Sequence, residues 1–295
     1  MILKTIQILT RLWALLPLSW SRTLARILGG IWWIADRQRR EITVSNLGGA
    51  FPEKDEKWVK ATARACFEHI AMVGCEMPYL LHTPMKKLLS MTRFHGLENI
   101  LEAQKEGKGL IALTGHIGNW EWCNVLLGAA GYHGTVIARP LDNRSLDKLV
   151  NQWRGRSGQI IVSKEATARI LLRALRAGQG VAILLDQNTD WYEGIWVNFF
   201  GRPACTSHGL VQLAMISGSP VIPIYCLRAE DGMFDVYCQQ PLPIIRSGRR
   251  SNDIWENTQR CNDALEKIIR LEPCQWLWQH RRWKDNYCAW PREDA

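Results

Sequence analysis

Apolar and polar positions fall into two regimes along the chain. From residue 109 onward, short apolar runs alternate with helical patterns. The runs are 109–115 (GLIALTG), 134–139 (GTVIAR), 159–163 (QIIVS), 180–185 (GVAILL), 220–227 (PVIPIYCL) and 233–238 (MFDVYC). Between or after them, 119–130, 144–156, 165–177, 207–217 and 252–271 read as helices. Apolar strands separated by helices predict an α/β fold whose largely parallel central sheet is covered by helices on both faces. Upstream, 55–90 reads as helical, with Trp58, Ala61, Ala65, Phe67, Ile70 and Val73 near helical spacing.

Residues 1–35 form the second regime. They are rich in Leu, Ile and Trp, but Lys4, Arg11, Arg22 and Arg26 interrupt them. The charge-free stretches 12–21 and 27–35 are each too short to span a bilayer, and no small-residue cleavage site follows. An amphipathic helical segment lying in the membrane interface fits, with a tilted single span as the alternative. The expected division is a membrane-associating N-terminal extension, 1–35, and one catalytic domain, 36–295.

Composition refines this picture. A chain of 295 residues that is 47% hydrophobic can bury a substantial core. Its 37 basic and 28 acidic residues leave a net charge of +9, which favours anionic membranes, acidic carrier proteins and phosphorylated substrates. No zinc-finger or RRM signature points to nucleic acid. Of the 15 tryptophans, Trp13, Trp20, Trp32 and Trp33 lie in the first segment, as suits a bilayer interface. The nine cysteines form no C-x-x-C pair, so reduced, buried thiols in a cytoplasmic protein are expected, with no metal site and no cofactor.

The chemistry concentrates in Thr114–Trp122 (TGHIGNWEW). An apolar run ends at His116, which places an imidazole at the carboxyl end of a strand, where open α/β sheets bind ligands. Gly115 and Gly118 let the backbone pass close to something, and Asn119 can cap a new helix. Glu121 then falls in that helix's first turn, from where its carboxylate can orient the imidazole and stabilise its protonated form. G-x-S-x-G is absent, and Cys123 reads as a small core residue.

The G-H-x-G-N-W-E block, with what surrounds it, resembles the bacterial lipid A biosynthesis acyltransferases, relatives of the phosphatidylinositol mannoside acyltransferases. The resemblance runs through Arg40–Leu47 (REITVSNL), Phe51-Pro52, Arg139-Pro140-Leu141, Asp186-Gln187, Phe199–Ala204 (FFGRPA), Pro223–Arg228 and His280–Lys284 (HRRWK). It implies that His116 and Glu121 are the catalytic pair. His116 would take a proton from a substrate hydroxyl attacking an acyl thioester, and N–H groups opening the 119–130 helix would stabilise the oxyanion. The implied donor is acyl carrier protein, or acyl-CoA. The implied acceptor is a lipid A precursor or similar glycolipid at the cytoplasmic face of an inner membrane.

Other residues are assigned around that pair. Arg139 follows a strand run and suits a phosphate of the acceptor or carrier. Asn119, Asp186, Gln187 and Arg228 are further candidates for binding substrate, Asp186 and Gln187 ending one strand and Arg228 another. Trp196, Phe199 and Phe200 in the loop 192–203 pack in the core or line an acyl channel. His280–Lys284 is read as structural or carrier-facing. The alternatives are a mannosylated or other glycerolipid acceptor, a non-catalytic membrane-binding relative, and a hydrolase, which the missing serine elbow weakens.

Overall fold

The computed structural model describes residues 2–105, 107–138, 143–163, 167–190 and 192–284. The expected strands all form, each within a residue of its predicted ends: β2 (Leu110–Thr114), β3 (Gly134–Ala138), β4 (Ile160–Ser163), β5 (Gly180–Leu184), β8 (Val221–Arg228) and β9 (Phe234–Cys238). With β1 (Thr92–His95) they make a seven-stranded sheet of order β1-β9-β8-β2-β5-β3-β4. β8, β2, β5, β3 and β4 run in one direction, and β9 turns back antiparallel to β8 with β1 beside it. Five carboxyl termini therefore open on the same edge.

Both faces of the sheet are buried, and the strands alternate between them. In β2, Ile111 and Leu113 join one core, while Leu110 and Ala112 join the other. That period of two explains why a strand buried on both sides reads as one apolar run. The first core is closed by α9 (Thr167–Arg176), α10 (Gly209–Ser217) and α11 (Arg250–Leu271). The second is closed by α6 (Leu97–Lys105), α7 (Trp120–Ala129) and α8 (Arg144–Gly155).

Two expectations change. The helical stretch 55–90 divides into α4 (Glu56–His82) and α5 (Met85–Ser90), because Pro84 cannot continue α4 and its predecessor Thr83 is pushed to extended geometry. The stretch 192–203 is no open loop. It carries the hairpin β6 (Gly194–Phe199) and β7 (Arg202–Ser207), which turns at Phe200 and Gly201 with φ of 54° and 70°. Positive φ at both turn positions matches the twist of a two-residue hairpin. Phe199 and Phe200 are buried against Phe51, Trp276 and Trp278, so they are core residues.

The expected hydrophobic extension and its tilted-span alternative do not form: the first 35 residues make α1 (Ile2–Trp13) and α2 (Leu18–Ala35), which pack on α4 and α8, and no helix among the described residues is long and apolar enough to cross a membrane. α2 lies along α4, with Ala25 buried and Phe67 of α4 packed against Trp32 and Trp33. The crossing is close: a Cβ on Gly29 would sit 2.5 Å from the Glu68 Cα. The opposite side of α2 carries Trp20, Leu24, Ile27, Ile31 and Ile34, all exposed, and Ile34 keeps 75% of its surface. Spacings of three and four put them in one stripe. α1 adds exposed Ile8, Leu9 and Leu12, and the turn after it adds Leu15.

Gly29→Ala is expected to destabilise the protein by about 1–3 kcal/mol through overpacking. Gly30→Ala, whose Cβ would meet nothing closer than an Arg64 guanidinium nitrogen at 3.7 Å, should be neutral or stabilising. Urea midpoints of the two variants check this, and equal midpoints would remove the close crossing as the reason for a glycine.

Candidate active site

His116 lies two residues beyond β2, and Asp186 two residues beyond β5, the strand beside it. The pairing of β2 with β5 thus delivers an imidazole and a carboxylate to one point. His116 Nδ1 is 3.0 Å from Asp186 Oδ1, and the His116 backbone N–H donates to Oδ2 at 2.6 Å. Trp276 Nε1 also donates to Oδ2, at 2.8 Å. A Cβ on Gly115 would come within 2.9 Å of the Asp186 carboxyl carbon, so this carboxylate can approach only a glycine.

An acceptor facing Nδ1 makes Nδ1 the protonated nitrogen of neutral His116 and leaves the lone pair on Nε2. Gln187 brings its amide nitrogen to 3.5 Å from Nε2, and the Trp120 ring stands edge-on to the imidazole. Burial opposes protonation of His116. The charge and hydrogen bond of Asp186, with a further contribution from Glu121, outweigh it and raise the imidazole pKa above its ordinary 6.5. Burial works against the Asp186 anion too, but His116, Trp276 and the backbone N–H together lower its pKa.

The carboxylate bonded to the imidazole is therefore Asp186, where the sequence had pointed to Glu121. Glu121 is buried in the first turn of α7, as expected, but its oxygens are held from α8. Arg154 grips both of them and Trp153 Nε1 donates at 3.3 Å. Glu121 acts on His116 through charge across a gap, not through a hydrogen bond. Arg154 and Asp186 carry no local sequence signal for these contacts, since their partners lie 33 and 70 residues away.

The loop joining His116 to α7 is fixed on both sides. Asn119 N–H donates to the Cys226 carbonyl of β8 at 2.8 Å, and Gly118 N–H to the Gln275 carbonyl at 2.7 Å. Gly118 has φ +57°, and a Cβ there would overlap the Cys226 carbonyl oxygen at 1.8 Å. The C-terminal segment thus walls the site: Leu277 N–H reaches the His116 carbonyl, and Asn46 of α3 (Arg37–Ala50) anchors Trp278 and His280.

Beneath this loop lies a buried ionic cluster that sequence reasoning missed. Glu76 of α4 is fully buried. It accepts from Arg22 Nε at 2.7 Å, from Arg228 Nε and Nη2 at 2.9 and 2.5 Å, and from Asn119 Nδ2 at 2.8 Å. Burial alone would raise the Glu76 pKa; the charges of Arg228 and Arg22 reverse this and lower it. Buried His69 completes the cluster, with Nε2 at 3.1 Å from the Gly118 carbonyl and Nδ1 at 2.9 Å from Arg228 Nη1. A carbonyl on one side and a guanidinium on the other require the neutral Nε2–H tautomer. Burial first, then the Arg228 charge, push its pKa down to about 3.

This cluster changes the reading of two candidates. Arg228 is bonded to Glu76 and His69 and has 7% of its side chain exposed. Asn119 is wholly buried, capping α7 through Trp122 N–H while its amide holds Glu76. Both hold the loop from below, with their polar groups already engaged by protein partners. Arg139 lies outside the described residues. Of the remaining candidates, Asp186 and Gln187 are brought to His116.

A histidine at a strand end, with Nδ1 held by a buried carboxylate and Nε2 left to take a proton, is a general-base arrangement. A family model described as bacterial lipid A biosynthesis acyltransferase matches residues 4–285, and the chain belongs to that family. The lipid A biosynthesis lauroyltransferase of Escherichia coli K12 is 26% identical over 84% of this chain and 80% of its own length. A lipid A biosynthesis acyltransferase of Haemophilus influenzae is 24% identical over 83% and 76%. The phosphatidylinositol mannoside acyltransferase of Mycobacterium tuberculosis H37Rv is 24% identical over 70% and 64%. The protein is an acyltransferase, and its family supports transfer to lipid A or a similar glycolipid.

Glu76→Ala should be strongly destabilising, by about 3–5 kcal/mol, because it leaves Arg22 and Arg228 buried without their counter-charge. Arg22→Met combined with Glu76→Met and Arg228→Met should recover part of that loss. Denaturant midpoints of the single and triple variants decide, and a mild effect of Glu76→Ala would mean that the cluster is solvated.

Proposed function

We propose that the protein moves a fatty acyl chain from an acyl carrier protein thioester to a hydroxyl of a lipid A precursor, with His116 as general base. The observation that carries this reading is the Asp186–His116 bond, which leaves Nε2 as the proton acceptor. The acceptor hydroxyl gives its proton to Nε2 as its oxygen attacks the thioester carbonyl. Asp186 orients the ring and stabilises the imidazolium, and Glu121, clamped by Arg154, adds a second negative charge nearby. The first N–H groups of α7 are suited to receive the oxyanion. Collapse of the tetrahedral intermediate expels the thiolate, which recovers the proton from His116. No acyl-enzyme is required. Acyl-CoA as donor, or a mannosylated glycerolipid as acceptor, keeps the same chemistry, and the mannoside acyltransferases among its relatives favour testing the second.

The same reading places the enzyme peripherally on the cytoplasmic face of an inner membrane. The exposed stripe of α1 and α2 supports this, since each large apolar side chain fully removed from water contributes on the order of 1.5–3 kcal/mol. Lys4, Arg11 and Arg26 lie among these residues and suit anionic lipid.

His116→Ala should reduce transfer at least about a hundredfold in a folded protein. A base must be neutral to act, so activity falls as pH drops through its pKa. The acidic limb of kcat/KM against pH is therefore expected above the ordinary histidine value of 6.5. Asp186→Asn should lower kcat and move that limb to lower pH, because the carboxylate is what raises the imidazole pKa. An unmoved limb in Asp186→Asn would reject this pairing. Acceptor chemistry is read by mass spectrometry of the acylated product from a lipid A precursor and a mannosylated lipid offered together.

Replacing Ile27, Ile31 and Ile34 together by Asp should abolish flotation with liposomes and slow transfer to a bilayer-embedded acceptor. Activity on a short-chain acceptor dispersed in detergent should persist. Unchanged flotation would show that this stripe is not the membrane contact.

A further inference from the structure

A cleft of about 440 Å³ opens beside the site, lined by Gln38, Arg39 and Ile42 of α3, by 188–190 and 193, and by His280, Arg281 and Lys284. Its wall begins two residues after Asp186 and one after Gln187, whose amide stands at His116 Nε2. On the other side, α3 follows α2 after only Asp36, so Gln38 and Arg39 lie within a turn or so of exposed Ile34. The cleft thus lies between the end of the apolar stripe and the His116–Asp186 pair.

Its lining mixes two kinds of group. Arg39, Arg281 and Lys284 bring positive charge, and Arg39 also ties the cleft to the C-terminal segment through Nη1 on the Gln279 carbonyl at 2.8 Å. Asp190 and Glu193 bring carboxylates, and Asn188, Thr189 and Gln38 bring neutral polar side chains. His280 is not among the cations: its Nε2 accepts from Asn188 N–H at 3.0 Å, which a protonated ring cannot do. Cations alone would suit any anion, but carboxylates in the same wall repel one unless the ligand also offers hydroxyl or amide donors. They disfavour an acidic carrier surface as the occupant. A sugar bearing a phosphate presents both kinds of group.

We propose that this cleft is the subsite for the phosphorylated saccharide head of the acceptor, with Arg281 and Lys284 on the phosphate and Asp190 and Glu193 accepting from sugar hydroxyls. The inference rests on the glycolipid acylation proposed above. A headgroup seated here would leave its chains along the α2 stripe and its reacting hydroxyl toward His116. It would make headgroup charge a determinant of acceptor choice, separate from the chemistry at the thioester.

The test uses full-length protein with the double variant Arg281→Ala/Lys284→Ala, both residues being exposed, and checks its melting temperature against wild type. KM is measured for a phosphorylated disaccharide lipid, for the same lipid dephosphorylated, and for the acyl carrier protein donor. The expected result is a rise of about tenfold or more in KM for the phosphorylated acceptor, the scale of a lost charge-assisted contact. kcat and donor KM should be unchanged, with little difference between wild type and variant on the dephosphorylated lipid. Arg281→Lys should retain most of the binding, and Asp190→Asn/Glu193→Gln should weaken both acceptors alike. A rise in donor KM would overturn the proposal and assign the cleft to the phosphodiester of the donor's arm. Equal losses on both acceptors in the double variant, or no loss, would also overturn it. Binding to nanodiscs carrying each lipid is measured in parallel. Wild type that acylates neither lipid would sink the functional reading, while the nanodisc binding would still decide the subsite.

Discussion

A single buried carboxylate, Glu76, fixes the relation between three parts of the chain that are remote in sequence. Arg22 comes from α2, Arg228 from the end of β8 and Asn119 from the start of α7. Such a cluster is a poor source of net stability, because taking three charges out of water offsets most of what their attraction returns. Its contribution is geometric. Each oxygen of Glu76 is engaged by more than one donor, so a displacement of any partner breaks a charged hydrogen bond in a low-dielectric interior. Asn119, held from below, still has its side-chain oxygen to cap α7, and His69 holds the neighbouring Gly118 carbonyl. The loop carrying His116 is thereby set on a rigid support.

The second constraint is the sheet edge. β2 and β5 pair in parallel from Leu110 and Gly180 to Thr114 and Leu184, so their carboxyl ends are level, and Leu185 N–H continues the ladder to the Thr114 carbonyl. The next residues on each strand are then neighbours without any further design. Gly115 clears the space, His116 turns its Nδ1 to Asp186, and Trp276 satisfies the other carboxylate oxygen. The imidazole's tautomer follows from the strand register.

Strands buried on both faces were legible because their side chains are apolar at most positions, and the intervening helices carry their own period. The hairpin β6–β7 was not, because Phe200 sits at its turn with a positive φ that is rare for phenylalanine, and the packing of Phe199 and Phe200 is tertiary. His116 stood out from its local setting, a strand end followed by glycines and a helix cap. The carboxylate hydrogen-bonded to it did not, for the same reason: Glu121 is close in sequence, whereas Asp186 is close only once β5 lies beside β2. Glu76 was hidden differently. Within an amphipathic helix a glutamate reads as solvated, and only the arrival of Arg22 and Arg228 makes its burial tolerable.

These constraints together bear on a physical problem that any enzyme acylating a membrane lipid faces. The acceptor's chains must stay in lipid while one hydroxyl meets a base within hydrogen-bonding distance, so the height of that base above the membrane has to be held to ångströms. A flexible tether would anchor the protein but leave that height undefined. Here α2 carries an apolar stripe on its outer side and Arg22 on its inner side. Arg22 meets the carboxylate that holds Asn119, three residues from His116. The same helix that we propose lies in the membrane is therefore bonded, through one buried side chain, to the loop that we propose carries the base. Packing of Gly29 against Glu68 removes the remaining freedom of α2 to slide along α4. On that proposal, the N-terminal segment is the reference surface from which the position of His116 is set.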